Sequence, residues 1–270
     1  MNGEIVVVRG GGDIASGVIQ KLHRVGFRVL VLELEKPTSI RRTVCFSEAV
    51  YTGRTELEGI TAVRAESIVE IYHAWAENCV PVAVDPKGSC INSFKPLAVV
   101  DAIIAKRNTG MHKDLAPVTI AIGPGFTAGK DVSVVIESNR GHNMGRLIFN
   151  GNAEPNTGRP GNIAGYTIER VLKSPNDGII EVEHSIGDTV KQGDIIATVN
   201  GHTISAQIDG IIRGIIRGGT YVTKGFKVGD IDPRIDQLKN CYTISDKARA
   251  IGGAVLEAII IEIKELDTKE

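Results

Sequence analysis

Three clusters in the sequence hold residue types that handle anions or supply nucleophiles. Gly10-Gly11-Gly12-Asp13-Ile14-Ala15-Ser16-Gly17 fits the pattern G-x-G-x-x-A. Glycines at those positions let backbone N–H groups approach a phosphate at the positive end of a following helix. Glu33 follows at about the 20-residue spacing of an acid that hydrogen-bonds a ribose. The same turn with no ligand is simply a tight strand-to-helix connection. In the second cluster, Arg41 and Arg42 suit a phosphate or other oxyanion, or form a solvated pair. Cys45 beside them is either a thiol activated by those cations or a buried small residue. In the third, Arg140 and Arg146 flank His142 between glycines. That arrangement suits anion or partner binding, acid–base work by His142, or an exposed hairpin. Arg159 follows in Asn156-Thr157-Gly158-Arg159-Pro160-Gly161 and extends the basic character.

Composition excludes several alternatives. Of 270 residues, 31 are Lys or Arg and 32 Asp or Glu, a net charge of -1, so neither nucleic acid nor an anionic membrane is an expected partner. Aromatics are only 4%, too few for a stacking platform. The six histidines form no HxxxH or HxH and the four cysteines no CxxC, so no metal site is expected. No apolar run approaches the ~18 residues that span a bilayer. The first residues are too weakly apolar for a signal peptide, so the expected location is cytoplasmic, with reduced thiols.

The elements that would position these clusters follow from periodicity. Residues 4–9 form an apolar run ending in glycines, as in a buried parallel strand. Ile14, Val18, Leu22 and Val25 mark one helical face. Further strands are expected at Val29–Leu32 and Val80–Val84, and a helix over 65–77. This alternation predicts a Rossmann-like parallel α/β sheet that binds its ligand over residues 1–112. A connecting region of strands and Gly/Asn/Pro-rich loop is expected over 113–173, and a C-terminal helical segment over 233–270. Between them, Asp177-Gly178-Ile179-Ile180 recurs as Asp209-Gly210-Ile211-Ile212, with Gly187, Val190 and Gly193 matched by Gly219, Val222 and Gly225. The offset is 32 residues throughout, and Asn200-Gly201 supplies a hairpin between the halves. The pattern resembles the biotinyl/lipoyl-type barrel-sandwich hybrid over 174–232. The tip reads Asn200-Gly201-His202, without the lysine that carries biotin or lipoate, so a scaffold or docking role is expected.

Taken in order, the motifs are similar to those of the YqeB family of the selenium-dependent molybdenum hydroxylase system. They are Arg9–Gly17, Ile40–Val44 with Ala49-Val50-Tyr51, Ile122–Phe126, Arg140–His142 with Gly145-Arg146, Asn156–Gly161 and Ser245–Ala250. The N-terminal part is also similar to the nucleotide-type fold of XdhC molybdenum-cofactor insertion factors, where that fold lies later in the chain. The resemblance implies an accessory role in maturing a molybdenum hydroxylase client. The small anionic ligand expected is a molybdenum-pterin cofactor or a dinucleotide of the NAD type. An NAD-dependent oxidoreductase and a non-catalytic adaptor that binds a client stand as alternatives.

Overall fold

The computed structural model describes residues 3–158 and 160–268. The chain forms two compact units. One comprises Met1–Pro37, Cys45–Asn156 and Ile244–Glu270; the other comprises Thr38–Val44 and Thr157–Thr243.

The larger unit is built on a nine-stranded mixed sheet. Its strands are β1 (Ile5–Arg9), β2 (Arg28–Glu33), β3 (Arg54–Leu57), β4 (Ile60–Arg64), β5 (Val80–Val84), β6 (Ala98–Asp101) and β7 (Val118–Ile122). A short β8 (Thr127–Ala128) precedes β9 (Val134–Ile136) and β10 (Leu147–Ile148); β8 pairs outside the sheet with β11 (Gly151–Asn152). The order is β10-β9-β7-β6-β1-β2-β5-β4-β3. From β9 to β4 all neighbours are parallel, and β10 and β3 close the two edges antiparallel. Central strands read as unbroken apolar runs because both faces are covered. Val6, Val7, Val8, Val99 and Val100 have no exposed surface.

Helices α1 (Asp13–Arg24), α2 (Ala49–Thr52), α3 (Ile68–Ala76), α4 (Ile91–Phe94) and α5 (Asp246–Asp267) complete this unit. α1 and α5 cross in backbone contact. A Cβ on Gly17 would stand 2.2 Å from the Ala248 carbonyl oxygen, and one on Gly252 would stand 2.3 Å from that of Gly17. Glu58 fixes the approach to α5. One of its oxygens accepts from the Ile244 N–H (2.8 Å), the other from the Gln20 amide on α1 (2.6 Å).

The smaller unit holds β12 (Val171–Lys173), β13 (Gly178–Val182), β14 (Thr189–Val190), β15 (Ile195–Val199), β16 (His202–Ser205), β17 (Gly210–Ile215), β18 (Tyr221–Val222) and β19 (Lys227–Asp232). They form two antiparallel sheets ordered β12-β19-β17-β14 and β16-β15-β13-β18. The 32-residue repeat is visible in the pairing. β14 pairs with β17 and β18 with β13, so each half lends a strand to the other. Asp209 accepts from the Gln192 N–H and Asp177 from the Lys224 N–H, the same bond one repeat apart.

The expected fold class is corrected by this topology. A barrel-sandwich hybrid over 174–232 is not shown, and the sheet is not a purely parallel one confined to residues 1–112. β7, β9 and β10, which the sequence reading put in a connecting region, are strands of the same large sheet. The reason is the source of their cover. No helical pattern follows these strands locally, and α5, from the far end of the chain, packs on β7 and β9 instead. The segment 233–270 also divides, its 3-10 turns at Ile235–Tyr242 lying in the smaller unit and α5 in the larger.

Candidate functional site

The glycine turn after β1 is packed by the protein itself. Gly10 has φ +94°, and a Cβ there would meet the Ala102 carbonyl oxygen at 3.2 Å. A Cβ on Gly11 would meet the Ser47 nitrogen at 2.9 Å, where Ser47 donates to the Gly11 carbonyl. Ser16 adds a buried link, donating to Gly12 O and accepting from the Phe46 N–H. Glu33 does not present a carboxylate to a ribose. It is 9% exposed, and its two oxygens accept from the Gly11 N–H (2.7 Å) and the Leu34 N–H (2.8 Å). Burial raises its pKa against those two donors. The Gly11 amide expected to meet phosphate is therefore bonded within the chain. Strand order reverses between β1 and β6, where open α/β sheets form a ligand crevice. Here Arg9 fills that place, buried and bonded to Asp101 (3.2 Å) and to Thr109 O (2.9 Å).

At the start of α1, Gly12, Asp13 and Ile14 are partly exposed, while Ala15 is buried. Gly12 occupies the N-cap without a capping side chain. Next to it, on α5, stands a residue the sequence reading did not select. Lys247 lies in the first turn of α5, half-buried, within electrostatic reach of Arg140, Asp13, Glu137 and Asp246. Burial first, then the Arg140 charge, holds its pKa below the ordinary lysine value, although three carboxylates act the other way. Arg140 grips Asp246 with a parallel fork, 2.9 and 3.1 Å. The arginine is carried there by an ordered loop. Buried Glu137 accepts from the Asn139 and Glu154 N–H groups, and Glu154 in turn accepts from the side chains of Asn139 and Asn143. The cluster thus unites two helix N-termini, one arginine and one partly desolvated lysine. Chemically, it can receive an anion such as phosphate. The sequence held one signal for Lys247: a cation in the first turn of a helix opposes the helix dipole.

The other expected residues are placed elsewhere. Arg41 and Arg42 belong to the smaller unit and bind its backbone. Arg41 donates to Asn240 O (2.8 Å) and Thr243 O (3.3 Å), and Arg42 donates to Ile215 O (2.8 Å). Within that unit they peg the inserted segment Thr38–Val44 to the backbone. Cys45 is 3% exposed at the start of the 3-10 turn Phe46–Glu48, which gives an electrophile no approach. His142 sits exposed in the turn that follows Arg140, without a hydrogen-bond or ion-pair partner among the described residues, so nothing orients it for catalysis. Arg146 is exposed on the same loop. Arg159 lies outside the described residues. Among the described residues, no group of three or more His, Cys, Asp or Glu is placed to hold a metal ion, and no helix is long and apolar enough to cross a membrane.

No family model matches the chain. Over 258 residues it is 52% identical to the uncharacterized protein YqeB of Escherichia coli (strain K12), covering 96% of this chain and 48% of that protein. The chain thus spans about half the length of this curated relative. Among solved structures, it aligns with an aspartoacylase family protein from Mesorhizobium loti at 15% identity, 86% and 85% coverage of the two chains and a TM-score of 0.25. It also aligns with a succinylglutamate desuccinylase/aspartoacylase from Rhodobacter sphaeroides, at 16% identity, 85% coverage of each chain and a TM-score of 0.26. Similarities this low carry no inference about fold or chemistry. Identity of 52% over nearly the whole chain makes it a homologue of part of this YqeB protein.

Proposed function

We propose that the chain is an accessory protein in the maturation of selenium-dependent molybdenum hydroxylases. In this reading its larger unit holds the phosphate-bearing part of a molybdenum-pterin or nucleotide-like ligand. The client is supported by the resemblance to the YqeB family, the ligand class by Lys247. A half-buried amine whose charge is disfavoured by burial and by Arg140 gains a compensating partner when an anion arrives. The first-turn amides of α1 add donors. Lys247 would meet the anion as a point charge, and Arg140 would exchange the Asp246 carboxylate for it as a fork. The bound cofactor would supply the molybdenum and its sulfur ligation, and the chain's own part is to hold the tail. A nicotinamide reading lacks its carboxylate, since both Glu33 oxygens are bonded to the chain.

The test is mass spectrometry of small molecules released from the full chain, purified from cells supplied with molybdate and selenite. A pterin or nucleotide from the natural protein, absent from Lys247→Met with Arg140→Ala, is expected. No released molecule from a well-folded natural protein, or equal release from the double variant, overturns the proposal.

A further inference from the structure

Away from the Lys247 cluster, on the other side of β1 and β2, a cleft of about 500 Å³ opens at the carboxyl ends of β4 and β5. This volume lies within the range of small-molecule sites, roughly 300–1,000 Å³. One wall is apolar, formed by Ile68 and Ile71 of α3, Val84 at the end of β5 and Phe94 of α4. Ile68 is 52% exposed, an uncovered apolar residue at the mouth. The lining also carries the charged residues Arg64, Glu66 and Asp85. Arg64 is already paired, to Glu66 at 2.9 Å and to Val50 O at 3.0 Å. Asp85 has no cationic partner among the described residues; it accepts from the Cys90 N–H (2.8 Å). Burial pushes the Asp85 pKa up, but the amides of Cys90, Ser89 and Gly88 outweigh it and hold the pKa below the ordinary value, so the carboxylate is ionised at neutral pH. The Cys90 thiol, pushed up to about 12 by burial and by Asp85, stays protonated and unreactive.

We infer that this cleft is a second binding site, for a small organic cation with an apolar body. The body would lie against Phe94, Ile71 and Ile68, and the N–H donors would meet Asp85. The charge is the basis for choosing a cation: Arg64 is neutralised by Glu66, which leaves Asp85 as the unbalanced group of the lining.

The fold supplies its own reporter. Trp75 is the chain's single tryptophan, and its ring lies 5.9 Å from that of Phe94, edge to face. The experiment is fluorescence titration of the full chain with 2-phenylethylamine and, in parallel, phenylacetate, which matches it in size and is opposite in charge. A saturable change with the amine is expected, with phenylacetate weaker by about tenfold, the worth of one charge-assisted hydrogen bond. Asp85→Asn removes that preference. Val84→Phe, at a 38% exposed position that leaves the Asp85 turn intact, blocks the amine by filling the cleft. No response to the amine, equal binding of phenylacetate, or amine binding that survives Val84→Phe would each overturn the inference. Lys247→Met leaves this titration unchanged, which separates the cleft from the anion site.

Discussion

In the smaller unit Arg41, Arg42 and Arg170 bind groups of the unit itself. Arg170 is buried against Asp230 at 2.9 Å, and Arg41 and Arg42 spend their donors on backbone carbonyls of the same unit. In the larger unit Arg140 is half exposed and forks onto the exposed carboxylate of Asp246, with Lys247 nearby under partial burial. The contrast shows that adjacency in sequence does not identify an anion site. Burial and the identity of the acceptor do: a guanidinium bonded to main-chain carbonyls holds a loop, while one that forks onto an exchangeable carboxylate can turn to a ligand.

Substitutions sharpen that contrast, beginning with the largest effect. Arg170→Met leaves Asp230 buried with Lys227, at 3.8 Å, as its remaining cation among the described residues, and costs about 3 kcal/mol in denaturant unfolding of the full chain. Gly17→Ala forces α1 and α5 apart and costs about 2 kcal/mol by the same measurement, since the added methyl meets backbone that cannot yield. Arg42→Ala loses the bond to Ile215 O and costs about 1.5 kcal/mol, with no change in anion affinity by calorimetry. Arg140→Ala reverses the pattern: a stability loss below about 1 kcal/mol, as for exposed ion pairs, and weakened anion binding.

Lys247 gives a pH test of the same contrast. Its folded pKa lies below the ordinary value of 10.5, so in the window between the two the unfolded chain holds a proton that the folded chain has lost. Stability therefore rises with pH through that window as far as this residue contributes. Lys247→Met removes the rise, visible as a flatter profile of denaturation midpoint against pH. An unchanged profile would show that the amine is not desolvated.

Much of the larger unit was legible in the sequence. The apolar runs at 4–9, 29–32 and 80–84 and the face of Ile14, Val18 and Leu22 are local patterns, and they correspond to β1, β2, β5 and α1. The repeat was legible for the same reason, since a turn glycine recurs wherever the backbone does. The helix cover of β7 and β9 was not legible, because it comes from residues more than a hundred positions later. The Lys247 cluster was legible only in part, for a related reason. Asp13 and Arg140 belong to the cluster, but Lys247 joins them only through the α1–α5 crossing, and the pairing of Gly17 with Ala248 and Gly252 leaves no local pattern. Spacing alone pairs Glu33 with a ribose, and spacing does not show that its carboxylate accepts from the Gly11 amide.

The most direct measurement is isothermal titration of inorganic pyrophosphate into three proteins: the natural chain, Lys247→Met with Arg140→Ala, and Arg41→Ala with Arg42→Ala. The account predicts heat of binding in the first and third and none in the second. Binding that persists without Lys247 and Arg140, or that disappears with Arg41 and Arg42 in a folded protein, would contradict it.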